Sequence, residues 1–579
     1  MQQASERQVL EDPFYYLANF RQLVDWIHQR YVDLLSTEEL QFIAQLAELP
    51  RAAQALFVRM VIRKGHLFRA SKLRYAEIGD AQAAVAPLLA LGWVERDPSL
   101  SIEQLFELLQ KDDIALAFSL SAREKALRKP DQLALLRLRI AEQMQQSSVQ
   151  NVTPDATQDA RQEVGAYTQR FSSWHPASSE PVYRIMNQDL CDRLRLMFFG
   201  NFHQDWSEFV LSDLGIYRYE QVNFSLASRA FRTRQDVDDY MALQRCRELF
   251  FDNRPVEDVM QQLAQCSLGN DWLLGRREKF LFQIGQQLEK VKDWDTACTV
   301  YASCSYPGAR LRTIRVLEKS GRSDAAFARL CEARQAPESE AERQQLLRIA
   351  PRLERKLGLD KTPVMAAMPQ QRIDLSLPLP AMPFFVEGVV RDHLTQLDAP
   401  VYYVENTLIN ALFGLLCWDA IFKPLPGAFF HPFHRGPVDL HSADFRQRRA
   451  PEFSACLATL DSGHYRDRIR QTYAEKSGIQ SPFVVWPVLN EALLELALSC
   501  IPAQHLKLAF ERILLDIKSN RNGFPDLIQF WPAEQRYRMI EVKGPGDRLQ
   551  DNQERWIAYC AEHQMPVAVC HVEWCGNAP

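Results

Sequence analysis

The sequence predicts a multidomain protein that is mostly α-helical for its first two thirds and ends in an α/β domain. Three observations carry this expectation. The 579 residues exceed what one hydrophobic core holds. Apolar residues recur at helical spacing, segment after segment, up to about residue 360. Beyond residue 520 the pattern changes to short alternating runs, closed by turns and followed by one helix and a further strand.

Taken in order, residues 1–75 form an N-terminal helical region, of which "FYYLANFRQLVDWIHQRYVDLL" is typical. Residues 76–145 form a compact helical unit. One helix ends at Leu91-Gly92, an extended segment follows, and Ser101 with Gln104 caps the next helix, "EQLFELLQ". "KDDIALAF" begins a third. Short helices joined this way suit a SAP-type DNA-binding motif or a purely structural hairpin. Residues 146–234 are read as a linker followed by a helical region. Within them 146–181 is polar and poor in aliphatics, which suggests a loop with some helix.

Residues 235–370 are read as tetratricopeptide-like helical repeats. "LEKVKDWDTACTVYASC" (288–304) and "LEKSGRSDAAFARLCEA" (317–333) repeat Leu-Glu-Lys, and Asp295 and Ala297 match Asp324 and Ala326. Residues 361–383, "KTPVMAAMPQQRIDLSLPLPAMP", read as an extended, proline-bearing linker. Residues 371–579 are assigned to the terminal α/β domain.

In that domain "NGFPDLIQFW" (522–531) is a turn leading into a strand headed by Asp526, "PAEQR" a hairpin loop, and "YRMIEVKG" the antiparallel return. Glu541 and Lys543 lie two apart on this return strand and so point to one face. A charged pair on a central strand must reach solvent or take part in chemistry. Hydrolysis of a phosphodiester needs an activated water and a stabilised anionic transition state. Hard ions such as Mg²⁺ or Mn²⁺ take carboxylate oxygens. Asp526 and Glu541 supply two, the Val542 carbonyl a third, and Lys543 a fixed positive charge. The competing reading is a Glu–Lys surface pair on an edge strand.

The net charge of −5 does not advertise a nucleic-acid binder. Charge is unevenly placed, however. Arg59, Arg63, Lys64, Arg69, Lys72 and Arg74 fall in sixteen residues with no acid, and residues 122–139 are also basic. These are candidate DNA contacts, as is Arg521 just ahead of Asp526; the alternative is a solvated helix face. No apolar run is long enough to cross a bilayer, so no membrane partner is expected, and the N-terminus lacks the pattern of a secretory signal. Twelve cysteines without a C-x-x-C pair suit reduced thiols and a cytoplasmic setting, on the nucleoid if the source is bacterial. "CHVEWC" (570–575) reads as a core strand, because adjacent Cys and His point to opposite faces.

"GFPDLIQFW…RMIEVKGPGDRLQDNQERWIAYC" resembles the VRR-NUC domain of the PD-(D/E)XK, restriction-endonuclease-like fold. With "YYVENTLINALFGLLCWDAIF", "FHRGPVDLHSADFRQRR" and "VCHVEW" the resemblance extends to the Fanconi-associated nuclease family, in a bacterial-type form. It implies Glu405 as a further metal ligand and a role for Gln553 in orienting a ligand or the attacking water. Glu491 is a rival carboxylate, and zinc at His431, His434 and His441 is not expected. The resemblance further implies a metal-dependent 5′ flap endonuclease and 5′–3′ exonuclease, acting on branched DNA in repair such as that of interstrand cross-links. Repair proteins are expected partners of the helical repeats. Two alternatives stand beside this: a non-catalytic DNA-binding scaffold with a degenerate nuclease fold, and an RNA-directed nuclease.

Overall fold

The computed structural model describes residues 12–63, 65–149, 167–204, 217–266, 268–360, 371–380 and 384–576, with the side chains of 143–149 outside that description. The chain divides into two compact units, residues 1–214 and 215–579.

The first unit opens with helices Tyr15–Tyr31, Thr37–Glu48 and Arg51–Ile62. Ser36 and Glu39 form a capping box at the second, worth about 1 kcal/mol. Phe42 and Phe57 pack on Trp93, with ring centroids 4.5 and 5.0 Å away. Five short strands follow: β1 (Leu67–Arg69), β2 (Val94–Arg96), β3 (Ser99–Ser101), β4 (Thr168–Arg170) and β5 (Val182–Ile185). β5 lies between β1 and β2, antiparallel to both, and β3 pairs with β4. Ser101 caps helix Ile102–Leu108 through Gln104 as the sequence suggests. The polar stretch 146–181 is more ordered than its composition suggests. Helix Lys129–Val149 runs into it, β4 lies within it, and Phe171 and Trp174 enter the core one helical turn apart. Residues 150–166 lie outside the described residues.

The second unit begins with helices Arg234–Phe251, Val256–Gln265, Asp271–Val291, Trp294–Ala302, Ala309–Lys319, Ser323–Gln335 and Glu340–Leu357. The two echoing segments occupy equivalent corners of successive helix pairs. Lys292 and Gly321, 29 residues apart, both turn the chain with positive φ, at 64° and 81°. Ala297 and Ala326 are both fully buried where the helices meet. At Gly285 a Cβ would stand 2.5 Å from the Tyr301 ring, so the close approach of these helices requires glycine there.

The terminal domain is built on a five-stranded sheet. Its strands are β6 (Gln371–Pro378), β7 (Val401–Tyr403), β8 (Leu527–Trp531), β9 (Arg536–Lys543) and β10 (Val567–Cys575), in the order β6-β10-β9-β8-β7. β6 and β9 run parallel to β10, and β8 is antiparallel to β9 and β7. The linker reading of 361–383 is therefore corrected in part, because Gln371–Pro378 is an edge strand. Ile373, Leu375 and Leu377 alternate onto the core as a strand requires, and Pro378 is tolerated because it ends an edge strand. Residues 361–370 and 381–383 lie outside the described residues. Leu527, Ile540, Val542, Cys570 and Val572 line one face of the sheet. Ile528, Phe530, Tyr537, Met539 and Val569 line the other, beneath a larger helical layer that includes Trp556 and Ile557.

Candidate active site

β9 is central, and its odd-numbered residues form one row. Tyr537 and Met539 fill the large core, and Glu541 and Lys543 continue the same row at the strand's C-terminal end. The row changes from apolar to charged without leaving the interior: Glu541 is 0% exposed and Lys543 8%. β8 pairs with β9 through Trp531 with Arg536 down to Leu527 with Ile540. One more step of that register sets Asp526 opposite Glu541, and Asp526 is likewise buried. The Val542 N–H donates to Asp526 Oδ2 at 2.8 Å, fixing this carboxylate across the strand pair.

Burial of two facing carboxylates has an electrostatic cost. Burial pushes Asp526 up to about 6; Glu405 and Glu387 add to this, while the Val542 N–H and Lys543 oppose it. Burial pushes Glu541 up to about 7, with Asp526 adding and Lys543 opposing. Lys543 Nζ stands 2.8 Å from Glu541 Oε1 as an ion pair and donates to Gln553 Oε1 at 3.1 Å. Glu541 Oε2 is buried with no hydrogen-bond partner among the described residues.

Gln553 is placed by helix Asp551–Glu562. Its Oε1 also accepts from the Gln550 N–H, closing the helix's own capping box. Trp556 of that helix donates to the Asn520 carbonyl, and the Arg512 guanidinium sits 4.5 Å from the Trp556 ring and 4.1 Å from that of Tyr559. The outer face is tied to the last repeat helix through Arg348 with Asp551 and Glu554 and through Gln344 with Arg555.

Glu405 lies in the turn ahead of helix Leu408–Leu416, three residues before its start rather than in its first turn. Its Oε2 accepts from the Tyr403 hydroxyl at 2.6 Å and its Oε1 from Asn406 Nδ2 at 3.2 Å. The Val404 N–H donates to the Asp526 carbonyl at 2.8 Å, so the Glu405 turn and the head of β8 are directly joined. Sequence reasoning missed Glu387, in the first turn of helix Val386–Leu394, whose charge acts on both Asp526 and Tyr403. Its only signal was an acid at a helix start, which helix electrostatics explains equally well. Glu491 is exposed in the first turn of helix Glu491–Cys500.

Among the described residues, no group of three His, Cys, Asp or Glu side chains is arranged as it stands to hold a metal ion. The donor chemistry nevertheless fits a hard divalent cation. The donors are oxygens, Glu541 has a buried oxygen without a hydrogen-bond partner, and among the described residues Lys543 is the cation that ion-pairs with Glu541. Lys543 holds the counterion's place beside Glu541.

The basic candidates fall elsewhere. Arg59 pairs with Glu77 at 2.7 Å over the Tyr16 ring, and Arg69 is held by Glu180 and Asp113, so both are engaged inside the first unit. Arg63, Lys72 and Arg74 are exposed, Arg63 resting on the Lys72 carbonyl and the Tyr75 hydroxyl. Lys64 lies outside the described residues. In the second unit Arg521 donates to the Pro482 carbonyl at 2.8 Å, and burial, with Arg435 adding, pulls its pKa down. His431 and His434 stack at 3.9 Å in the core, each accepting a backbone N–H.

Family comparison matches residues 14–95 to the "FAN1, HTH domain", 99–162 to the "Fanconi anemia-associated nuclease SAP domain" and 461–574 to the "VRR-NUC domain". The chain is similar to a Fanconi-associated nuclease 1 homolog of Pseudomonas aeruginosa, 55% identical over 98% of this chain and 97% of that one. It is 30% identical to the Homo sapiens Fanconi-associated nuclease 1 over 29% of this chain and 17% of that one. Among solved structures it is similar to the crystal structure of paFAN1 bound to 2nt 5′ flap DNA with gap. The TM-score is 0.84 at 54% identity, covering 98% of this chain and all of the other.

Proposed function

Because the chain belongs to the Fanconi-associated nuclease family, we propose that it cuts 5′ flaps and related branched DNA at the Asp526–Glu541 cluster. The chain is a structure-selective DNA nuclease, an enzyme that hydrolyses phosphodiester bonds with a divalent metal ion. The finer reading adds a 5′–3′ exonuclease activity, a role in cross-link repair, and Mg²⁺ or Mn²⁺ as the ion. Asp526, Glu541, Glu405 and the Val542 carbonyl are the residues that would hold it. When bound, such an ion supplies activation of a water and neutralisation of phosphate charge.

What supports this placement is one observation: two buried carboxylates, Asp526 and Glu541, lie opposite each other across a strand pair, and Lys543 ion-pairs with Glu541. The chain's own residues do the positioning. The Val542 N–H fixes Asp526, and Gln553 holds Lys543 at the mouth of the site, where its charge meets the phosphate. Arg63, Lys72, Arg74 and Arg521 are proposed DNA contacts. The domain reading carries over as residues 1–75, 76–145, 146–234, 235–370 and 371–579, with repair proteins as partners of the helical repeats. No helix among the described residues is long and apolar enough to cross a membrane.

The test is cleavage of an end-labelled 5′-flap duplex, beside a matched RNA flap, with Mn²⁺, Mg²⁺ or EDTA. Wild type and Glu541→Ala are compared at matched DNA binding. Cutting of DNA that needs the ion and vanishes in the variant is the expected result. A variant that cuts like wild type overturns the site. Binding without cutting by either protein would return the scaffold reading.

A further inference from the structure

Asn406 links the two carboxylate-bearing segments through its side chain. Its backbone has φ 50°, in the left-handed region that asparagine tolerates better than most residues. Its Oδ1 accepts from the Gly523 N–H at 2.7 Å and the Phe524 N–H at 3.1 Å, just ahead of Asp526. Its Nδ2 donates to Glu405 Oε1. Two N–H groups meeting one amide atom require that atom to be the oxygen, so the NH₂ must face the carboxylate. The backbone is fixed as well: Asn410 Nδ2 donates to both the Asn406 and the Arg521 carbonyls, at 2.8 and 2.7 Å. The loop on the other side has little freedom. At Gly523 φ is 95°, and a Cβ would stand 2.7 Å from the Asn552 carbonyl carbon, on the helix that carries Gln553.

We infer that Asn406 is a positioning residue for divalent-cation binding: one carboxamide sets the distance between the Asp526 loop and the Glu405 carboxylate and fixes the rotation of the latter. The inference rests on the site proposed above. Aspartate keeps the acceptor for the two backbone N–H groups but loses the donor to Glu405. Glycine keeps the left-handed backbone and loses both. Alanine would add backbone strain, so glycine is the cleaner substitution.

The experiment is calorimetric titration of the DNA-free full chain with Mn²⁺, with flap binding in EDTA and the thermal midpoint measured alongside. The proteins are wild type, Asn406→Gly, Thr407→Ala and Glu541→Ala. Thr407 Oγ1 donates to the Val404 carbonyl within the same turn at 3.0 Å. Groups that orient metal ligands are worth roughly 10- to 100-fold in metal affinity. The expected result is that Asn406→Gly weakens Mn²⁺ binding by about that factor, while flap binding in EDTA is unchanged and Thr407→Ala binds Mn²⁺ as wild type does. In steady-state cleavage at fixed Mn²⁺ the loss falls on kcat rather than KM. If Asn406→Gly binds Mn²⁺ as tightly as wild type, or Thr407→Ala loses as much affinity, Asn406 has no such role. Loss of affinity in Glu541→Ala alone overturns this inference and leaves the site standing. Equal binding by wild type and Glu541→Ala overturns both.

Discussion

Two buried charge clusters in the second unit have opposite logic. Around Asp439 the charges balance once Asp444, 3.9 Å from Arg448, is counted with it, two carboxylates against two guanidiniums. Arg449, fully buried, gives it two hydrogen bonds at 2.8 and 3.0 Å and stacks over Phe445, and Arg448 adds a third bond at 2.7 Å. Around Asp526 and Glu541 they do not. These carboxylates, with Glu405 and Glu387 acting on Asp526, share one lysine, and both are pushed up, to about 6 and about 7. A balanced cluster contributes to holding the fold. An unbalanced one costs stability until a cation arrives, as the proposed metal site requires.

Breaking the balanced cluster should give the largest effect on folding. Arg449→Ala removes two of the three arginine hydrogen bonds to buried Asp439 and is expected to cost about 3 kcal/mol or more, read by chemical denaturation, with cleavage per folded molecule unchanged. In the unbalanced cluster the expectation reverses. Asp526→Asn keeps an acceptor for the Val542 N–H and is expected to lower cleavage by roughly 100- to 1,000-fold with no loss of thermal stability at neutral pH. The sign follows from linkage. A carboxyl raised in the folded state supports folding below its unfolded pKa, near 4, and loses that support as pH rises through about 6 to 7. The metal-free wild type should therefore lose stability across that window more steeply than Asp526→Asn. If the variant loses as much, the cluster is balanced by something other than a cation.

Lys543 sharpens the comparison, because among the described residues it is the unbalanced cluster's ion-pair partner. Lys543→Met should move the pH midpoint of cleavage upwards by about one unit, equivalent to about 1.4 kcal/mol. An unmoved midpoint would separate Lys543 from Glu541. The smallest effect is expected at the exposed bridge from Arg348 to Asp551 and Glu554. Arg348→Ala should cost at most about 1 kcal/mol, and the difference should vanish at high salt.

How much of this the sequence reveals depends on how local each cause is. Asp526, Glu541 and Lys543 are legible because a hairpin and a two-residue period bring them together within eighteen residues. Glu405 lies more than a hundred residues upstream and is reached only through the family resemblance. Glu387 carries no local signal beyond an acid at a helix start. β6 hides among the prolines that flank and end it, although Ile373, Leu375 and Leu377 alternate as a strand requires. The basic run around Arg59 and Arg69 shows the limit most plainly. Composition shows six cations and no acid, while the partners Glu77, Asp113 and Glu180 lie 18 to 111 residues along the chain from the arginines they neutralise. Long-range ion pairs cannot be seen in a window of sixteen residues.

With Asp526 and Glu541 pushed up to about 6 and about 7, the cluster holds protons where the proposed divalent cation would bind. This is tested most directly by titrating the DNA-free protein with Mn²⁺ near pH 6 in buffers of different ionisation enthalpy, which counts the protons displaced on binding. Proton release that shrinks in both Asp526→Asn and Glu541→Gln, and fades in wild type above pH 8, is the expected result. Binding with no proton release, or release unaltered by either substitution, would contradict it.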